Sequence, residues 1–380
     1  MFGESGSGKT VMVSSFYGAA QEPQNIKTSG FNVVAENPTH NSQLLQNYLG
    51  MKNSSKLPAA NKFSSTSFAF RIHVKNIPGV KREKAGQLDA LSLVWHDYPG
   101  EWFEQNVSGP TEAQRRLETF RALLSSDVAL LLVDSQKLLD NAGEEERYLK
   151  SLLTNYRNGL LSLKNELLDD GKGLVTFPRI WILALSKSDL VPSMNVTDFR
   201  DLVLEKAGAD VDELREALSK FVESSEALSV GEDFVLLSSA KFNANKIEVA
   251  ERVGLDLILP IAAVLPLERH IRWAQMGQVS RQVASYLLIG VGTLAGALGL
   301  VGGLATKFKS GKGKLVGIAG LLLSQFGPNL KSVVKKGELK LKDLDTVALA
   351  RKNSLAATLA RFHTDLDKAE EEQILLRSLR

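Results

Sequence analysis

Residues 3–10 read Gly-Glu-Ser-Gly-Ser-Gly-Lys-Thr and satisfy the spacing GxxxxGK[ST] in full. Glycines so placed let successive backbone N–H groups curl round an anion, the lysine reaches phosphate oxygens, and the threonine hydroxyl can ligate magnesium. A helix following from Val11 adds the positive end of its dipole to the same spot. The expected nucleotide triphosphate site therefore draws on Gly3, Ser5, Gly6, Ser7, Gly8, Lys9, Thr10 and Val11. Such a loop normally follows a buried strand in the middle of a sheet. Only Met1 and Phe2 precede it, so an apolar strand upstream of Met1 is expected and the chain as given lacks it.

Composition narrows the remainder. A chain of 380 residues with 44% hydrophobic and 23% charged residues can bury a sizeable core. A formal charge of +3 gives no electrostatic reason to expect a nucleic-acid partner. The absence of cysteine removes disulfides, thiolate metal sites and cysteine nucleophiles, and fits a reducing cytoplasm. No basic region followed by an apolar run marks the N-terminus as a secretory signal.

Behind the loop, residues 21–65 are polar and weakly patterned and predict a long loop with one helix near 42–49. Phe68–Val74 alternates as a half-buried strand, and Ala90–His96 is its hairpin partner across Pro78-Gly79. The second strand ends in Asp97-Tyr98-Pro99-Gly100, a DxxG pattern at a strand terminus. There Asp97 suits a water-linked magnesium carboxylate and Gly100 offers an amide to a γ-phosphate. Val128–Asp134 is a continuous apolar run, the pattern of a strand buried on both faces, and Asp134 is the second choice for the magnesium carboxylate. Helical periodicity over 144–168 leads to a strand at 179–185 that ends in Ser186-Lys187-Ser188-Asp189. A carboxylate at Asp189 can accept both the N1–H and the exocyclic amine of guanine, while the Lys187 stem covers the base. Adenine lacks that donor pair and would leave the carboxylate desolvated. A helix over 198–223 and a strand over 233–237 precede Ser238-Ser239-Ala240-Lys241, where Ser239, Ala240 and Lys241 are expected as a second base-contacting loop by the resemblance given below.

Taken in order, these motifs resemble the translation-factor-class (TRAFAC) P-loop GTPases, over residues 3–267. The string Asp97-Tyr98-Pro99-Gly100-Glu101-Trp102 is similar to that of the YcjX-like bacterial GTPases and related GTPase-like domains of conflict systems. The resemblance implies an α/β three-layer P-loop domain with a mainly parallel sheet. It also implies a magnesium-dependent switch that slowly hydrolyses GTP to GDP and phosphate. Lys9, Thr10, Asp97, Gly100, Lys187, Asp189 and Ala240 stand at matching positions, with Lys9 and Glu101 as the catalytic pair. Three departures stand out. Ser186 replaces the usual Asn or Thr and removes an amide that ties the base loop to the phosphate loop, which weakens guanine affinity. Glu101 stands where a water-orienting Gln is common, and its carboxylate repels a γ-phosphate. The switch threonine has no clear match; Thr66 is the first choice and Thr39 the second.

After Pro266 the composition changes. Tyr286–Thr306 is an uncharged Leu-, Gly-, Ala- and Val-rich run long enough to span a bilayer, with glycines at close-packing spacing. Lys307, Lys309, Lys312 and Lys314 follow, then a shorter apolar stretch, Leu315–Phe326. One crossing would place those lysines outside, against the positive-inside tendency. An interfacial hairpin on anionic lipid at the inner membrane face, and a soluble hairpin buried against the same chain, a second copy or a protein partner, both fit; liposome flotation separates them. Residues 341–380 predict a charged helix with Leu344, Val347, Leu355, Leu359, Phe362 and Leu366 on one stripe. The expected organisation is a P-loop GTPase domain over 1–267, an apolar hairpin over 268–340 and a charged helix over 341–380. A sensor or scaffold that does not turn nucleotide over, and an ATPase in which Asp189 does not touch the base, are the rival readings.

Overall fold

The computed structural model describes residues 1–59, 65–75, 89–103, 109–168, 171–243, 246–274, 276–288 and 346–378. The glycine loop feeds α1 (Lys9–Ala20), followed by a short α2 (Pro23–Thr28), strand β1 (Phe31–Ala35) and α3 (Pro38–Ser54). The helix expected near 42–49 is thus α3, longer at both ends, and the rest of the expected loop over 21–65 also holds α2 and β1. Its polar residues act as caps: the Asn37 side chain accepts from Thr39 N at 2.8 Å, with proline in the first turn of α3. This helix buries only Leu44, Tyr48 and Met51, one narrow stripe at helical spacing.

The expected hairpin is present as β2 (Thr66–Val74) and β3 (Asp89–Asp97), antiparallel, and β1 extends it in the order β1-β2-β3. Phe68, Phe70, Ile72 and Trp95 point into the core, as period-two alternation requires. Next come α4 (Pro110–Leu123), β4 (Val128–Asp134), α5 (Ser135–Asp140), α6 (Glu145–Ser162), α7 (Lys164–Leu167), β5 (Ile180–Ser186), α8 (Val196–Ser219) and β6 (Ser229–Leu237). Strands β4, β5 and β6 are parallel neighbours. β6 starts at Ser229, ahead of the expected 233, because the ladder skips across Gly231 and Glu232.

Alternate residues of the parallel strands enter two cores, which is why these runs are apolar throughout. Leu130, Leu132, Ile182, Ala184 and Val235 join α1 on one face, and Leu131, Val133, Trp181, Leu183 and Phe234 join α6 and α8 on the other. Phe2 stands between the two sheets. Its N donates to Leu130 O at 2.7 Å, its O accepts from Leu132 N at 2.8 Å, and Met1 N lies 3.5 Å from His96 O of β3.

Beyond β6, β7 (Lys241–Asn243) and β8 (Lys246–Glu248) form a small ribbon, followed by α9 (Ile258–Ala274). Residues 281–288 are helical. Helix α10 (Thr346–Glu371) and strand β9 (Leu375–Leu376) close the described chain. The boundary expected at residue 267 falls inside α9, and the charged helix is no separate module. Leu355, Leu359, Phe362 and Leu366 of its expected stripe enter the same core as Met12, Val13 and Phe16 of α1, and β9 pairs antiparallel with β6. Leu344 and the side chain of Val347 lie outside the described residues, as do the apolar run from 289 onward, the four lysines and Leu315–Phe326. Among the described residues no helix is long and apolar enough to cross a membrane.

Candidate functional site

The glycine loop lies where the sheet ends and α1 begins. Gly6 and Gly8 hold φ of 80° and 89°, the left-handed region that a side chain would strain, and Gly8 there turns the chain into α1. Glu4 O accepts from Ser7 N at 3.3 Å and Ser7 Oγ at 2.8 Å, which tightens the turn. Lys9 is buried at its centre. Its ammonium donates to Gly3 O at 2.6 Å and Glu4 O at 3.0 Å and lies 5.3 Å from the centre of the Tyr98 ring.

The first residue of α1 after Lys9 meets the end of β3: the Thr10 hydroxyl donates to Asp97 Oδ2 at 2.7 Å. Burial pushes the Asp97 carboxyl above its usual range, opposed by the Thr10 hydroxyl and by the Lys9 charge. Its other oxygen, Oδ1, is buried and has no hydrogen-bond partner. An orphaned carboxylate oxygen beside a hydroxyl suits a hard divalent cation that takes its other ligands from phosphate and water. Among the described residues no group of three or more His, Asp or Glu gathers into a cation site, and a magnesium held in that way needs none.

Gly100 sits directly on the loop: a Cβ there would collide with Ser5 N and with the backbone of Glu4, so only glycine permits the approach. Glu101 follows in a short 3₁₀ turn, Gly100–Phe103, and Ser5 Oγ donates to Glu101 Oε1 at 3.4 Å. Trp102 anchors that turn to α4, where Arg116 donates to Trp102 O at 3.1 Å and its guanidinium lies 5.8 Å from the indole.

The loops that follow β5 and β6 meet at Asp189. Asp189 Oδ1 accepts from Ser238 Oγ at 2.7 Å and Oδ2 from Phe242 N at 3.3 Å. The hydroxyl that reaches Asp189 is therefore that of Ser238, one residue before the expected triplet; Ser239 is buried and Lys241 pairs with Glu251 at 3.2 Å. Ala240 packs with Tyr48, Met51, Ile247 and Val249, and Val11 of α1 packs against that cluster, so one small core joins the two halves of the site. The Lys187 ammonium donates to the buried Asp134 carboxylate at 2.7 Å. Asp134, the second choice for the magnesium carboxylate, also caps α5 through Gln136 N at 2.9 Å, whereas the Thr10 hydroxyl donates to Asp97. The Ser186 hydroxyl donates to Val133 O at 3.2 Å, inside the sheet rather than toward the glycine loop. Thr66 pairs with Asp97 in the β2–β3 ladder, while Thr39 is exposed at the start of α3.

Several participants stand outside the motif positions. Tyr98 OH accepts from Gly3 N at 3.0 Å, and Glu4 pairs with Lys137 of α5 at 2.8 Å. They occupy variable places within or beyond the motifs, where spacing carries no information about contacts. A cleft of ≈ 440 Å³ opens at the other end of α1, against α10. Its rim charges neutralise one another, Arg252 with Asp256 at 3.2 Å and Lys368 with Glu372 at 3.3 Å, and no motif residue lines it. Comparison with protein-family models, with curated proteins and with solved structures finds no match to this chain.

Proposed function

We propose that this chain is a magnesium-dependent GTP-binding switch that hydrolyses GTP to GDP and phosphate, a P-loop GTPase of the TRAFAC class with a YcjX-like DYPGEW segment. The observation that carries the reading is the trio of buried Lys9, the Thr10 hydroxyl and Asp97 with its unpartnered oxygen, all at one helix N-terminus. Phosphate oxygens are stronger acceptors than the carbonyls of Gly3 and Glu4 that now hold the Lys9 ammonium, and exchange of one for the other is favourable. Magnesium would supply charge neutralisation at the phosphates, and Thr10 and Asp97 are the residues that would hold it. The Gly100 amide and the Glu101 carboxylate meet the γ-phosphate side, and Glu101 orients the attacking water. Asp189 has an accepting lone pair left on each oxygen after its bonds to Ser238 and Phe242, enough for the two guanine donors.

A second reading, a nucleotide sensor with little turnover, draws support from Glu101. Its carboxylate stands 3.4 Å from Ser5 Oγ, where an incoming γ-phosphate repels it. Calorimetric titration of GTP with magnesium, followed by phosphate release, tests both. The wild type binds, and Lys9→Ala weakens binding by at least about tenfold, the loss of one charge-assisted bond. Equal GTP affinity in the two proteins refutes the site, and binding without phosphate release favours the sensor.

A further inference from the structure

The Ser186 hydroxyl is spent inside the sheet, so the base loop lacks the amide tie expected of that position. We propose that Tyr148 and Lys137 replace it, as positioning residues in a relay of side chains that couples the phosphate loop to the base loop. This inference rests on the guanine-nucleotide reading above.

The relay is continuous at atomic distances. Glu4 of the glycine loop has a largely buried carboxylate whose Oε2 accepts from Lys137 Nζ at 2.8 Å and from Tyr148 OH at 3.4 Å. The same Tyr148 oxygen accepts from Asp134 N at 3.0 Å. The Asp134 carboxylate, 3% exposed, accepts from Lys187 Nζ at 2.7 Å, and Lys187 precedes Asp189 by two residues in a left-handed backbone turn with φ 55°. Asp189 is in turn fixed by Ser238 and Phe242 N. Glu4, Tyr148, Asp134 and Lys187, on the loop, α6, β4 and the base loop, thus form one chain of partners that passes through the Asp134 backbone, and Lys137 of α5 holds its Glu4 end.

Each link has a physical reason to persist. A buried carboxylate is stable only when paired and hydrogen-bonded, and Glu4 and Asp134 each take one lysine. Burial pushes the Tyr148 hydroxyl well above its ordinary range, so it remains a donor to Glu4 at every physiological pH. One oxygen that donates to the phosphate loop and accepts from the strand end beneath the base loop holds the two at a set separation. A nucleotide that docks by its phosphates then meets Asp189 already in place, which lowers the ordering cost of binding the base. Removal of the relay separates the two halves of the ligand energetically.

The test compares GTP with inorganic tripolyphosphate, both with magnesium, on the full chain. Tripolyphosphate engages the glycine loop alone, so it reports damage to that loop. Tyr148→Phe and Lys137→Met are expected to weaken GTP binding about tenfold more than they weaken tripolyphosphate binding, within the range of coupling between residues of one network. Lys137→Arg keeps the ion pair and restores GTP affinity. Melting curves accompany each variant; if Tyr148→Phe does not fold, the Lys137 pair carries the test alone. Equal losses for the two ligands, or no loss for either, overturn the relay. A wild type that binds tripolyphosphate as tightly as GTP refutes the guanine reading and the relay with it, a result separable from failure in the variants alone.

Discussion

Tyr98 serves both sides of the candidate site. Its hydroxyl takes the buried amide of Gly3 at 3.0 Å, and its ring lies beside the Lys9 ammonium. Tyr98→Phe keeps the ring and strands the amide, so the variant is expected to lose about 1–3 kcal/mol of stability in urea denaturation. An unchanged midpoint would show that this bond contributes nothing. At this scale the motif residues were legible because GxxxxGK[ST] and DxxG encode backbone geometry: left-handed glycines at 6 and 8, and the bare Gly100 against the loop. Tyr98, Ser238, Lys137 and Tyr148 were not, because their roles depend on partners up to 144 residues away, such as the Tyr148–Glu4 bond. Ser238 and Ser239 are adjacent and chemically identical, and only the turn after β6 decides which reaches Asp189.

Elements with one strong period were readable: the β2–β3 hairpin, the buried β4 and β5, and the stripe of α10. β1 and α2 were hidden by their polar content, and α3 was legible only over its middle, 42–49. The free edge of β1 explains part of it, since side chains occupy its outward groups: Gln21 Nε2 donates to Val33 O at 2.8 Å and Tyr17 OH accepts from Ala35 N at 3.4 Å. Polar residues placed to cap an edge resemble a loop in sequence, and they also block edge-to-edge pairing. The packing of α10 on α9 carries a titratable contact. His363 Nε2 stands 3.2 Å from Glu268 of α9 and its Nδ1 2.9 Å from Asp367, while Arg377 binds Asp367 at 2.7 Å and Glu370 at 2.6 Å. The bond to Glu268 is the main cause that raises the His363 pKa above its ordinary value; burial and Arg377 oppose it, and Asp367 assists. A raised folded-state value means that protonation stabilises the fold. The contribution is complete below about pH 6.5 and fades as pH rises through the folded value. It is on the order of 1 kcal/mol or less, because the imidazole is 25% exposed. His363→Gln should flatten the dependence of the urea midpoint between about pH 5.5 and 8.5; the same slope in both proteins would assign it to other groups.

For the whole molecule, the chain returns on itself. Arg269 of α9 pairs with Asp233 of β6 at 2.6 Å, both almost fully buried, and Ser378 N donates to the same Asp233 oxygen at 2.8 Å. Burial raises the Asp233 pKa and the Arg269 charge opposes that rise. Asp233→Ala leaves a buried guanidinium without its counter-charge and is expected to cost about 3–5 kcal/mol in thermal or urea unfolding. A loss below about 1 kcal/mol would mean that water reaches Arg269 in solution. The boundary expected at 267 cuts through α9, which packs in the same core as α1 and α10. Recognition of a guanine nucleotide at Asp189, with its phosphates on the glycine loop, is decided by one calorimetric series. GTP, ATP and xanthosine triphosphate, with magnesium, are titrated into the wild type and into Asp189→Asn. The wild type is expected to take GTP at least about a hundredfold more tightly than ATP. Asp189→Asn is expected to give up GTP and gain the xanthine nucleotide, whose C2 oxygen accepts where the guanine amine donates. Equal affinity for GTP and ATP, unchanged by Asp189→Asn, would refute recognition of the base at Asp189.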